Sequence, residues 1–193
     1  MENNYNKIYA LYDEKTIRVY QAYNDAIANE AVKNGAFGKN FKLERMTWIK
    51  PSFLWMMYRA GWGTKENQNR ILAIDILRQG FDFIVDEAVL SSYNSKIYED
   101  YDIWKEALNN SEVRCQWDPN RNIYGHPLED RAIQLGIKGE MVKKYVNEWI
   151  VNITDVTDFC KDLYTKRNKK EKIEHLLPIE KEYPKITKIM IKE

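Results

Sequence analysis

The chain has 193 residues, 44% hydrophobic and 31% charged, the make-up of a soluble globular domain with room for one full core. A formal net charge of +1 excludes an overall basic field for coating DNA or an anionic membrane, so any anion site has to be local. No apolar run approaches the roughly 20 residues of a membrane span, the first six residues lack the regions of a signal peptide, and two cysteines cannot build a disulfide framework, so a cytoplasmic protein with no membrane partner is expected.

Residues 7–23 read as a β-hairpin: β-branched and aromatic residues flank the polar turn Asp13-Glu14-Lys15. On its second strand Arg18, Tyr20 and Ala22 share one face, while Ile17, Val19 and Gln21 share the other. Asp25 to Asn34 predicts a short helix capped by Asn24 or Asp25 and stopped at Gly35. Arg45-Met46-Thr47-Trp48-Ile49-Lys50 then leads into the most apolar passage of the chain. Pro51 suits the first turn of a helix and Gly61 its end, so residues 51–60 are expected to form a central helix of about 15 Å. Phe53 to Tyr58 present no polar face, which predicts a helix surrounded by protein.

Arg70 to Leu77 reads as an interior strand, and Gly80 to Ser91 as a helix with Phe81, Ile84, Val85 and Ala88 at helical spacing. An amphipathic helix is expected over 99–108, a strand over 112–117 ended by the turn Asp118-Pro119-Asn120, and a strand over 131–137. A helix through Tyr145, a strand over 149–153 and a helix over 156–166 complete the core. The fold expected is α+β, a single domain over 1–193 with core 7–166. About six strands form a mixed or mostly antiparallel sheet around the buried aromatic helix. Residues 167–193, rich in Lys, Arg and Glu, are expected to pack loosely.

No phosphate-binding glycine loop, dinucleotide turn or nucleophile elbow is present. His126 and His175 are the only histidines, so no metal is expected. Chemistry would rest on carboxylates, arginines and tyrosines. Four clusters carry such groups: Arg18, Tyr20, Gln21 and Tyr23; Arg45, Thr47, Lys50, Ser52 and Arg59; Gln116 to Arg121 with Arg131 and Gln134; and Glu148. Converging cations beside aromatic faces suit a phosphate-bearing ligand with a stacked base. The alternative is that Arg45, Lys50 and Arg59 pair with Glu44, Asp75 or Asp118. Trp48, Trp55 and Trp62 read as plain core.

The run from Arg45 to Arg59, preceded by Ile17 to Tyr23 and followed by Gln116-Trp117-Asp118-Pro119, Arg131 to Gly136, Glu148 to Ile150 and Asp155 to Thr157, resembles a family known as a domain of unknown function. The resemblance covers residues 7–158, with Ala132 departing from the family's usual Ser or Thr. The layout of an early Arg and Tyr on a strand, a central aromatic element and a late Glu also resembles ADP-ribosyltransferases. That second resemblance implies an NAD-using transferase or glycohydrolase with NAD as substrate. Arg18 would hold the NAD phosphates or ribose with Arg45, Lys50, Arg59 and Arg131, and Tyr20 would lie near the nicotinamide. Glu148 would stabilise an oxocarbenium-like transition state. The rival expectation is a non-catalytic module for RNA or a nucleotide using Arg45, Lys50, Arg59, Arg121 and Arg131.

Overall fold

In chain order the computed structural model, which describes residues 6–185 and 187–190, runs β1 (Tyr9–Ala10), β2 (Thr16–Tyr23), α1 (Asp25–Asn34), β3 (Thr47–Ile49), α2 (Phe53–Ala60), β4 (Arg70–Leu77), α3 (Arg78–Asp86), β5 (Val89–Leu90), α4 (Tyr101–Asn110), β6 (Val113–Arg121), β7 (Pro127–Ile137), α5 (Gly139–Lys144), β8 (Ile150–Asp155), α6 (Thr157–Asn168) and β9 (Lys181–Glu182). The α+β expectation holds, but the strands divide among three sheets. β2, β4 and β8 make an antiparallel sheet in the order β2-β4-β8, and β3-β7-β6-β5 make a second, with β5 parallel to β6. β1 pairs only with β9.

The central strand β4 explains its own sequence. Leu72, Ile74 and Ile76 join Ile17 and Val19 in the larger core on one face, while Ile71 and Ala73 join Tyr20 in a second core on the other. A strand covered on both sides needs a continuous apolar run. α2 lays Phe53, Met56, Met57 and Ala60 into the second core, together with Cys160 and Leu163 of α6. It is not surrounded, as its composition suggested, because Tyr58 and Arg59 are exposed. Ser52 caps its N-terminus by accepting from the Trp55 amide, and Gly61 ends it at φ 57.

The two larger sheets are joined beside Lys50. Just past β3, the Lys50 carbonyl accepts from the Tyr20 amide of β2 at 2.7 Å. That backbone bridge places Lys50 next to the strand that carries Gln21 and Tyr23.

Other expectations need correction. The 7–23 hairpin reduces to isolated contacts such as the Tyr12–Ile17 bridge, because Tyr9 and Ala10 pair instead with Glu182 and Lys181. β6 runs on through Asp118-Pro119-Asn120, where a turn was expected, and absorbs Pro119 with a register shift before Arg121. The C-terminal stretch is not loose. Ile173, Tyr183, Ile189 and Met190 are buried, the Trp117 indole donates to the Ile189 carbonyl at 2.7 Å, and Tyr183 donates to Asp82 at 2.8 Å. Apolar residues spaced among the charges do this, so the charge run conceals a strap.

The helix expected over 80–91 stops at Asp86, and its Gly80 lies against Trp149. A Cβ added at Gly80 would sit 2.4 Å from the Trp149 ring. Gly80→Ala is therefore expected to destabilise the protein by about 2 kcal/mol through overpacking. An unchanged urea midpoint would show that Trp149 yields freely.

Candidate functional site

A cavity of about 750 Å³ opens where the two larger sheets meet α2. Its floor is a polar network that begins on β2. Gln21, almost fully buried, donates to the Thr47 hydroxyl at 2.8 Å and to the Trp48 carbonyl at 3.1 Å. The Tyr145 hydroxyl donates to Gln21 Oε1 at 2.8 Å, and the Tyr23 hydroxyl lies 3.1 Å from the Thr47 hydroxyl. Tyr145 opens a single π turn, Tyr145–Trp149, between α5 and β8. Burial pushes the Tyr23 and Tyr145 phenols above their usual range, so both stay neutral donors. A buried network satisfied in this way holds its shape.

One wall comes from the β6–β7 ribbon. Its alternation puts Cys115, Ile133 and Leu135 into the core and leaves Gln116, Asp118 and Gln134 lining the cavity. Asp118 accepts from Gln134 at 2.6 Å and from Gln116 at 3.0 Å. Burial raises its carboxyl above the ordinary aspartate value against the pull of those bonds.

The opposite wall is cationic. Arg45 leads into β3, Lys50 follows it, and Arg59 stands in the last turn of α2. Lys50 is 7% exposed, and among the described residues its ammonium meets the Trp48 carbonyl at 3.2 Å and the Trp55 ring at 5.6 Å. Burial, with Arg59 adding to it and the Asp118 carboxylate opposing, lowers its pKa from 10.5 to about 7. Among the described residues, Arg45, Lys50 and Arg59 make no ion pair. Of the carboxylates expected to neutralise them, Glu44 makes no ion pair among the described residues, Asp75 holds Arg18, and Asp118, held by two glutamines, acts on Lys50 only through its charge. Trp55, also lining the cavity and 6% exposed, has an indole N–H without a partner. A buried donor left unmet is costly.

The structure thus brings together Arg45, Thr47, Lys50 and Arg59, joined by Gln21, Tyr23, Gln116, Asp118 and Gln134 from the other clusters. It leaves out Arg18, Tyr20, Arg121, Arg131 and Glu148. Arg18 makes a two-pronged pair with Asp75 across β2–β4, at 2.7 and 2.8 Å. Tyr20 is 1% exposed in the second core with its hydroxyl unmet. Arg121 lies 4.0 Å over the Tyr58 ring. Arg131 stands opposite Pro119, on the ribbon face turned away from Gln134. Glu148 is exposed on the π turn.

Trp48 and Trp55, which line the cavity, and Glu180, which lies outside it at the start of α2, were not foreseen. Trp55 read as core, because nothing in an aromatic helix marks the one ring that borders a cavity. Glu180 lay hidden in the charged tail. Its carboxylate oxygen accepts from the Phe53 amide at 2.6 Å, at the start of α2. Burial raises its pKa from 4.5 to about 8.

No helix among the described residues is long and apolar enough to cross a membrane. No curated protein matches the chain. A family model described as a domain of unknown function (DUF4291) matches residues 7–183, and the chain belongs to that family.

Proposed function

We propose that the cleft binds a phosphate-bearing small molecule of the nucleotide class through Lys50, Arg45 and Arg59. The observation that carries this reading is the convergence of three cations on one cavity, none of them ion-paired among the described residues, beside a buried Trp55 N–H that has no acceptor among those residues either. An uncompensated buried ammonium is expensive, and a bound phosphate would supply the missing charge and acceptors together. A cleft of this size favours a small molecule over RNA, since Arg121 is spent on Tyr58 and Arg131 faces elsewhere, leaving no continuous basic track.

NAD belongs to this ligand class. The transfer chemistry implied by the ADP-ribosyltransferase resemblance would further require Arg18, Tyr20 and Glu148 at the ligand, and none of them lines the cleft. What is supported is binding. A reducing cytoplasm suits the two buried free thiols, Cys115 and Cys160.

Calorimetric titration with pyrophosphate and with ADP tests the reading. Arg45→Ala and Arg59→Ala should each weaken binding about tenfold at low salt. Arg18→Ala should leave affinity unchanged while lowering stability by about 2 kcal/mol, because Asp75 loses its partner. No heat from either ligand at millimolar concentration, or equal binding in the Arg45 and Arg59 variants, would sink it.

A further inference from the structure

The cationic cleft has a neighbour of mixed character. A second cavity of about 550 Å³ shares Tyr23, Arg45, Met46 and Thr47 with the first. Beyond that shared wall it is lined by Ala26, Ile27 and Phe41, by the amides of Asn24, Asn40 and Asn67, and by one further cation, Lys42. Asn24 spends its side-chain oxygen on capping α1, through the Ile27 amide at 3.1 Å, which leaves its NH₂ as a donor. The side chains of Asn40 and Asn67 have no hydrogen-bond partner among the described residues. Asn67 is held at φ 58, a left-handed conformation that asparagine tolerates better than most residues. It rims the cavity in a turn closed by the Gln68 amide on the Lys65 carbonyl.

The wall between the cavities is firm. Thr47 is tied to Gln21 and to Tyr23, and Tyr23 packs edge-on against Phe37 and Phe41. Arg45, exposed and without an ion pair among the described residues, lines both sides. One side therefore concentrates positive charge, and the other offers apolar surface edged by three amides with both donors and acceptors and by Lys42. Few small molecules have that division. A nucleotide does, with anionic phosphates at one end and at the other a planar base whose edge asparagine amides match.

We infer that the two cavities form one bipartite site for a nucleoside diphosphate, with its phosphates among Arg45, Lys50 and Arg59 and its base among Phe41, Asn40 and Asn67. This rests on the phosphate-binding reading above and adds to it the place where the base is held. Arg45 sits at the join, beside the phosphate nearest the ribose.

Titrations of pyrophosphate against ADP, GDP, CDP and UDP separate the base site from the phosphate site. The best nucleoside diphosphate is expected to bind at least about tenfold more tightly than pyrophosphate. The double variant Asn40→Ala, Asn67→Gly keeps the left-handed turn and should erase most of that advantage while leaving pyrophosphate affinity unchanged. If pyrophosphate and all four diphosphates bind alike, the base site is overturned and the phosphate reading stands. A double variant that keeps the full nucleotide advantage overturns the base site in the same way. If neither pyrophosphate nor any nucleotide binds, both readings fall.

Discussion

Lys50→Met is expected to abolish phosphate binding and, in the same protein, to stabilise the unliganded fold. Methionine has nearly the volume of the lysine stem and no charge to desolvate. The sign follows from the two protonation states. In the fold the Lys50 ammonium titrates at about 7, against 10.5 when unperturbed. Between those values the unfolded chain holds one proton more than the folded one, so wild-type stability falls as pH drops from 10.5 towards 7 and is level below. The advantage of the methionine variant should widen over that window, to on the order of 3 kcal/mol at its lower end. Ligand affinity should fall about a hundredfold or more, because the most enclosed of the three cations is gone.

A bound phosphate would restore the charge on Lys50. Binding near pH 8 should therefore take up close to one proton, seen as a calorimetric heat that differs between Tris and HEPES buffers. A methionine variant that binds normally, or wild-type binding without proton uptake, would remove Lys50 from the site.

Glu180→Gln is the second large effect, with the opposite pH dependence. The Glu180 carboxyl titrates at about 8 in the fold and at 4.5 unperturbed. Here the folded chain holds the extra proton, so stability is full below 4.5 and is lost as pH rises towards 8. Glutamine keeps an acceptor for the Phe53 amide and cannot ionise. The variant should be level across this window and gain about 2 kcal/mol over wild type at its upper end, a figure reduced because the residue is only partly buried. Urea midpoints of both proteins from pH 5 to 9 would check this, and parallel curves would refute it. Taken together, Lys50 and Glu180 give the wild type a stability minimum between pH 7 and 8, the reverse of the usual pattern.

Local elements were the legible part of this fold. Thr16–Tyr23, Asp25–Asn34 and Arg70–Leu77 declare themselves through β-branched runs, an Asn cap and a closing glycine, and all three lie where their residues predict. The pairing of β1 with β9 was not legible, since it joins residues more than 170 positions apart through two-residue strands with no pattern of their own. The cationic half of the cleft could be read because Arg45, Lys50 and Arg59 flank one apolar helix and cannot be far apart. Arg18 misled: a mid-strand arginine looks functional until its cross-strand neighbour Asp75 is known, and that neighbour is a matter of register. Trp55 and Glu180 had no signature, because their roles depend on a cavity and a helix end that only tertiary packing creates.

The junction at Lys50 makes the site a matter of parity. Arg45, Met46 and Thr47 all line the cavity, and from there the chain alternates: Trp48 and Lys50 border the cavity while the intervening Ile49 is wholly buried in the larger core. Adding or deleting one residue between Thr47 and Lys50 would exchange those positions, sending an ammonium into the core and an isoleucine to the ligand. Substitutions in this strand can be graded, but a single-residue insertion or deletion cannot. The Arg45–Pro51 segment should therefore hold its length across any set of functional variants, even where its side chains change.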